Sequence, residues 1–352
     1  MGTLHFCGIW KHIHDQLLSF LIDTVVCIYT LICSKMIKII YLLSWVVVMT
    51  MCLLHLSHDN WILNKTSHTQ PRAHCNQSLT RTRALTTILT SVSSDYITLV
   101  QVLGVSVSIY SDVNCQVDQI LIVPDHLTIA QTDLEKLRLA GWSLMPLAHI
   151  PPPASVNKHT VKHSRYMQCF LKLHVFNMTQ YEEVLFVDAD TILCGNVMEL
   201  FSHHIPRMRD KSVHLGWVYE LTPVSVSSTF NSGVMLIRPS SRLSAHLMTS
   251  MQQIAFDVSL GDQGFLNAVF NTKDPVNAQS VHRQHYALPR KFNTLAHMPS
   301  TNKALWEHVN IDARIFHFTW LKPTALFLLP RCAYMGTLRF CGMWTRIRDQ
   351  LL

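Results

Sequence analysis

The sequence predicts an α/β fold, one domain on a mostly parallel mixed sheet, preceded by an N-terminal membrane helix. Three observations carry this. Strand-like and helical runs alternate from residue 84 onward, the pattern of a mostly parallel sheet. The run Val184-Leu185-Phe186-Val187-Asp188-Ala189-Asp190-Thr191 is an apolar strand carrying two carboxylates to its C-terminal end, where open α/β sheets bind ligands. The stretch Ile39–Leu54 has no charged residue, and with its flanks it reaches the roughly 20 residues of a bilayer span.

Bulk properties agree. The chain has 352 residues, room for one large domain plus extras. With 49% hydrophobic and 14% charged residues and a mean hydropathy of +0.19, it is greasy for a soluble enzyme. The net charge of +7 is spread without Lys/Arg blocks, which helps an anionic substrate and argues against a nucleic-acid partner. His159/His163 and His282/His285 have ligand-like spacing but lack the Cys or carboxylate companions of a zinc site.

The apolar surplus sits at the N-terminus. Residues 1–36 form a tail whose stretch Leu17–Cys33 is either an extra apolar helix or absent from the native protein, with Met36 as the start. Residues 37–56 form the anchor. Lys35 and Lys38 precede it and face the cytosol by the positive-inside rule, leaving everything after residue 57 lumenal. The first alanine is Ala73, so a small-residue cleavage site is missing and the anchor stays uncleaved. Residues 57–83 read as a polar stem. Sequons at Asn64, Asn76 and Asn177 agree with the lumen. Cys75, Cys115, Cys169, Cys194, Cys332 and Cys341 admit one or two disulfides of unreadable pairing. Residues 331–352 are a tail: 335–352 repeats 1–18 with 13 of 18 positions identical, which we read as a duplicated element and not a functional pair.

Within the domain, residues 84–330, the elements follow in order. Ala84–Leu89 is a short strand, and Asp95–Val107 a helix behind a serine cluster able to cap it. Gln119–Val123 is a buried strand ending at Pro124. Thr128–Ala140 is an amphipathic helix with Leu134, Leu137 and Leu139, stopped by Gly141. Ser143–Leu147 is another strand before the triple-proline loop, and Ser164–Met178 a helix with Met167, Leu171 and Val175 on one side. Glu183–Val187 is the strand with the acidic motif. Phe230-Asn231-Ser232-Gly233 precedes the strand Val234–Ile237, Gly261–Gly264 opens the helix Phe265–Phe270, and a strand from Ile315 runs into Lys322-Pro323.

In a strand, residues i and i+2 point to the same side, so Asp188 and Asp190 meet one cation. A hard divalent metal on such carboxylates commonly carries phosphate oxygens. Two enzyme classes share this run, the nucleotide-sugar glycosyltransferases and the haloacid-dehalogenase-type phosphatases. An Asp-x-Asp that merely caps a turn is the plain alternative. His317 complements the carboxylates, Lys322 neutralises phosphate, and Gly233 and Gly264 let backbone approach a sugar.

Four segments in order resemble glycosyltransferase family 8, the glycogenin-like and galactinol-synthase-like enzymes, over about residues 84–325. They are RYMQCFLKLHVFNMTQYEEVLFVDADTILCGNVMELF (165–201), FNSGVMLIRPS (230–240), GDQGFLNAVF (261–270) and HFTWLKP (317–323). The second and last have no place in a phosphatase. The resemblance implies a nucleotide-diphospho-sugar (GT-A type) fold and a UDP-sugar donor. It implies Mn²⁺ held by Asp188, Asp190 and His317, Lys322 on the diphosphate, and Tyr96 stacked on uracil near Thr90. Ala189, Ser232 and Gly233 line the donor site and Lys172 contacts the donor. Asn231, Asp262 and Gln263 line the sugar and the reacting carbon. Transfer retains anomeric configuration, with Asp262 as nucleophile or as stabiliser of an oxocarbenium-like state.

Each assignment has a plainer counterpart: a core histidine for His317, a helix cap for Asp262, a core aromatic for Tyr96, a solvated helix face for Lys172. Trp320 and Thr324 depart from the usual Gly and Trp of the closing motif. The implied protein is a single-pass Golgi or endoplasmic-reticulum transferase acting on a glycan or glycoconjugate acceptor, with a homodimer admissible. A membrane-anchored lectin-like scaffold without turnover is the non-enzyme alternative.

Overall fold

Two sheets, of seven and of three strands, organise the described residues. The computed structural model describes residues 82–110, 117–153, 156, 168–221, 226–270, 285–319, 321–324 and 328–351. The anchor at 37–56, stem residues 57–81, Trp320, and the sequons at Asn64 and Asn76 lie outside them, and Arg83, expected to end the stem, instead opens the first strand. Among the described residues no helix is long and apolar enough to cross a membrane.

The large sheet is mostly parallel at its core. Strands β1 (Arg83–Ile88), β2 (Asp118–Pro124), β3 (Ser143–Leu147) and β4 (Glu183–Val187) run parallel in the order β3-β2-β1-β4. All of β4, and β1 after Arg83, are buried, so neither alternates apolar with polar residues, and Thr86, Thr87 and Glu183 are buried with their apolar neighbours. Pro146 is tolerated because β3 is the edge. Beyond β4 the direction changes. β6 (Leu215–Leu221) and β7 (Val226–Ile237) are antiparallel to each other, β7 is antiparallel to β4, and β8 (His285–Ala287) runs parallel to β6. The small sheet sets β10 (Ile315–His317) between β5 (Thr191–Leu193) and β9 (Thr294–Leu295).

Helices cover both faces. Helix α1 (Ser94–Tyr110) begins where the serine cluster predicted, with Ser93 Oγ accepting from the Tyr96 amide at 3.4 Å. Helix α2 (Gln131–Leu139) is shorter than the predicted Thr128–Ala140. Leu137 is buried, but Leu139 is 83% exposed. Positions two apart lie nearly opposite on a helix, so both cannot face the core. Gly141 stops the chain at φ 96°, as expected.

The predicted helix 164–178 needs correcting. Residues 164–167 lie outside the described set, and Cys169–Asn177 winds as a 3-10 helix buried almost all round. Side chains at i and i+3 eclipse in that winding. Cys169 and Lys172 therefore stack on one side, toward Asp262. The Phe230–Gly233 motif also lies inside β7, not before it. Consecutive β6 residues Trp217 and Val218 pair with Met235 and Asn231, so Ser232, Gly233 and Val234 bulge on the β6 side while Val234 stays paired with Val187 of β4.

Three apolar clusters result. One packs α1 and α2 on the sheet, through Leu103, Leu137 and Leu185. A second, on the opposite side, buries the 3-10 helix, α3 (Ser241–Ser250) and α4 (Asp262–Phe270). The third lies under the small sheet, between α5 (Lys303–Val309) and the C-terminal helices α6 (Leu328–Tyr334) and α7 (Leu338–Asp349). Cys332 in α6 is disulfide-bonded to Cys341 in α7. Residues 335–351 of the repeated tail are thus folded against the core. The buried positions Thr337, Phe340, Cys341, Gly342, Trp344 and Ile347 are all identical in the N-terminal copy, and the five differences fall at positions not fully buried.

Candidate functional site

The acidic pair does not sit on strand β4. Val187 ends the strand, and Asp188-Ala189-Asp190 form the turn into β5, closed by the Thr191 amide donating to the Asp188 carbonyl at 3.1 Å. The alternation argument is therefore replaced by a turn, with the same outcome. Carboxylate oxygens of Asp188 and Asp190 and a ring nitrogen of His317 all lie within 4.8 Å of one another. Ala189, between the carboxylates, is buried.

Opposing strands fix the turn from two sides. The Asp188 amide donates to the Gly233 carbonyl at 2.7 Å, and the Phe318 amide to the Asp190 carbonyl at 2.9 Å. Gly233 is required by this approach: a Cβ there would lie 2.7 Å from His317 Nδ1 and 2.9 Å from Asn231 Oδ1. Gly264 serves differently. A side chain there would strike the Asp257 carbonyl, so it answers helix packing and not the close approach to a sugar expected from sequence.

Two lysines meet the carboxylates. Lys172 Nζ lies 3.0 Å from both Asp188 Oδ1 and Asp262 Oδ2, and 3.4 Å from Ser232 Oγ. Burial disfavours its charge, but Asp188 and Asp262 outweigh that and push its pKa above the ordinary lysine value. Lys322 pairs with Asp190. Burial works to raise the Asp190 pKa, yet Lys322 and His317 hold that carboxyl well below the usual carboxylate range. Lys172 is thus no solvated helix face, and Asp262, buried in the first turn of α4, faces its ammonium.

A hydrogen-bond chain sets the orientation of His317. The Glu220 carboxylate can only accept, and it takes the amide of Asn231 at 2.8 Å, that of Gln263 at 3.3 Å and the Leu221 backbone at 3.1 Å. Asn231 Oδ1 is thereby turned to accept from Asn293 Nδ2 at 2.8 Å. Asn293 Oδ1 then accepts from His317 Nδ1 at 3.2 Å. With Nδ1 holding that bond, Nε2 faces the carboxylates, 3.3 Å from Asp190 and 3.9 Å from Asp188; its proton donates to Asp190 while no cation is bound, and a metal would take that proton's place. Gln263 accepts the Ser232 amide at 3.2 Å. Two carboxylates and an imidazole with a fixed tautomer are a donor set that fits Mn²⁺.

The remaining predicted residues fall at the same carboxyl edge. Tyr96 is half-buried, with its hydroxyl donating to the Ile88 carbonyl at 3.2 Å, at the end of β1. Burial pushes its phenol up, a hydrogen bond with Thr90 opposes this, and Asp188 and Asp190 add to the rise. Glu220 and Asn293 escaped the sequence reading. Neither belongs to a motif, and their side-chain partners lie 11 to 62 residues away in the chain.

Comparison with known proteins agrees with this geometry. Residues 87–323 match the family model described as "Glycosyl transferase family 8". The chain is 32% identical over 157 residues to UDP-glucuronate:xylan alpha-glucuronosyltransferase 2 of Arabidopsis thaliana, covering 45% of this chain and 23% of that protein. It is 29% identical over 171 residues to inositol phosphorylceramide glucuronosyltransferase 1 of the same plant, covering 49% and 27%. Glycogenin of Komagataella phaffii is 31% identical over 105 residues, covering 29% and 23%. The chain therefore matches about a quarter of the length of these relatives. Among solved structures, the glycosyltransferase GlyE of Streptococcus pneumoniae superposes with TM-score 0.50 at 18% identity, over 77% of this chain and 63% of that one. The WbbM bifunctional glycosyltransferase does so with 0.52 at 13%, over 77% and 50%. The fold is thus a GT-A-like α/β domain with a mixed sheet.

Proposed function

The chain belongs to glycosyl transferase family 8, and from that premise we propose that it moves a sugar from a UDP-sugar to a glycan or glycoconjugate acceptor, in a Mn²⁺-dependent reaction that retains anomeric configuration. The convergence of Asp188, Asp190 and His317 within 4.8 Å, flanked by Lys172 and Lys322, carries the reading.

Asp188, Asp190 and His317 would hold Mn²⁺, whose charge stabilises a diphosphate leaving group. Lys322, at the rim and on a loop, reaches the same diphosphate, where preorganised positive charge counts most as the sugar–phosphate bond breaks. Tyr96, beside Thr90, offers an aromatic face for uracil. Ser232 and Gly233, in the β7 bulge, and Asn231 just before it present polar backbone and an amide to the sugar. Gln263 lies beside them, and its amide is oriented by Glu220. Asp262 faces the positive charge that develops at the anomeric carbon, and Lys172 fixes its position. That clamp favours electrostatic stabilisation over nucleophilic attack by Asp262.

The uncharged stretch 39–54, the flanking lysines and the sequons support an anchored enzyme with a lumenal domain, and Asn177 is exposed. The Cys332–Cys341 disulfide suits the oxidising secretory pathway. Two of the named relatives act with glucuronate, so UDP-glucuronate is the first donor to try, followed by UDP-glucose, UDP-galactose and UDP-xylose. The test is UDP release by the full chain across these donors, with Mn²⁺ or EDTA. Manganese-dependent release from one donor supports the reading. Absence of both release and Mn²⁺-dependent UDP binding refutes it in favour of a scaffold.

A further inference from the structure

The helical hairpin of α6 and α7 lies beyond residue 323, where the family match ends, yet it packs beneath the strand that presents His317. We propose that this hairpin, stapled by Cys332–Cys341, positions His317 and Lys322 through the stack of Phe340 on Phe316. The proposal rests on the metal-dependent reading above.

Strand β10 is three residues long, so its own ladder holds it weakly. Side chains alternate along it. His317 points to the acidic turn, while Phe316 and Phe318 on either side point into the third apolar cluster. There Phe340 lies flat against Phe316, with ring centroids 4.2 Å apart and planes at 8°. Phe318 meets Phe316 edge-on at 4.9 Å, and Trp306 meets Phe340 edge-on at 5.9 Å. Leu321, next to Lys322, belongs to the same cluster, as do Cys332, Cys341 and Trp344. Phe316 and Phe318, which flank the metal-facing histidine, and Leu321, which precedes the phosphate-facing lysine, thus share one cluster with the hairpin. Cys341 follows Phe340 directly, so its bond to Cys332 fixes the backbone that carries the stacked ring. A shift of that ring tilts β10 and moves His317 Nε2 relative to Asp190.

The test is Mn²⁺ binding by the full chain, followed by the paramagnetic resonance of free Mn²⁺. Phe340→Leu keeps apolar volume but removes the stack, and the double change Cys332→Ser with Cys341→Ser removes the staple. Leu247→Ala, in α3 and the second cluster, is the control for general loss of stability. Phe340→Leu is expected to weaken Mn²⁺ binding about 10-fold, the scale seen when the groups that orient a metal ligand are altered. The serine pair is expected to act in the same direction, and Leu247→Ala to leave affinity unchanged while lowering Tm. Wild-type affinity in Phe340→Leu, or equal weakening in Leu247→Ala, overturns the positioning role alone. A wild type that binds no Mn²⁺ overturns both this and the metal-dependent reading.

Discussion

The two lysines of the site show how differently its two sides are built. Lys172 comes from the 3-10 helix, its side chain 9% exposed, clasped between Asp188 and Asp262. Lys322 comes from a loop, its side chain 36% exposed, and among the described residues it touches Asp190 alone of the charged groups. The first side is a closed ion-pair cluster backed by the second apolar cluster. The other is a single charge at the rim, backed by the C-terminal hairpin. A charge that must stay put through turnover belongs on the first side, and one that must follow a departing diphosphate belongs on the second. Breaking the first should cost stability and activity together, and breaking the second should cost activity alone.

Lys172→Met tests the stronger half. It strips Asp188 and Asp262 of their common partner, and uncompensated buried charge typically costs about 3–5 kcal/mol. For a domain of this size that is a Tm fall of roughly 10 °C. Adding Asp262→Asn should recover part of the stability but none of the turnover. A Lys172→Met protein that melts like the wild type would mean the clasp is not structural, and the contrast fails.

Lys322→Ala tests the weaker half. The residue is more than a third exposed, so its pair should contribute less than about 1 kcal/mol and Tm should hardly move. UDP release should fall by ~10²-fold through loss of transition-state charge. Mn²⁺ binding without nucleotide should tighten, because Asp190 loses a competing cation. Weaker Mn²⁺ binding would instead make Lys322 part of the ligand scaffold and erase the difference between the two sides.

Glu220→Gln probes what joins them. Its carboxylate accepts three N–H groups, whereas glutamine must turn its own NH₂ toward one of them. The chain through Asn231 and Asn293 then loses its fixed direction, and His317 its fixed tautomer. Mn²⁺ affinity should drop by about 10-fold with little change in Tm. An unchanged affinity would show that Asn293 orients His317 without help.

What the sequence disclosed follows from this same division. Asp188, Asp190, His317 and Lys322 sit in short runs at the ends of apolar elements, so type and spacing exposed them, whereas Asp262 and Gln263 were implied only by the resemblance to the family. The paired-strand argument for the two aspartates still misplaced them, because a tight turn and a strand give a similar spacing. Glu220 is the penultimate residue of an ordinary strand, and Asn293 follows a 3-10 turn. Their roles exist only through hydrogen bonds between distant segments, which no local period reports. The tail at 335–352 is different: Phe340, Trp344 and Ile347 recur at i, i+4 and i+7, the buried stripe of an amphipathic helix, so its helix is legible locally.

The smallest expected effect separates the two sides by pH. Burial holds His204, His285 and His297 below the ordinary histidine value of 6.5. A depressed folded pKa means the unfolded chain binds protons first, so this stability is present above 6.5 and is lost as pH falls through the folded values. Lys172, pushed above 10.5, and Asp190, held below 3.8, do not change charge in that window. His297 lies on the Lys322 side. Its Nε2–H donates to the Leu221 carbonyl at 3.2 Å, which leaves Nδ1 to accept the Thr319 hydroxyl at 2.8 Å. Protonation removes that acceptor two residues from His317. Between pH 7.5 and 5.5, Tm should therefore decline gently, and hydrogen exchange should quicken around residues 317–319 before it does in the 3-10 helix 169–177. Equal quickening in both would mean that acid loosens the domain as one body, and that the two sides of the site differ in chemistry but not in stability.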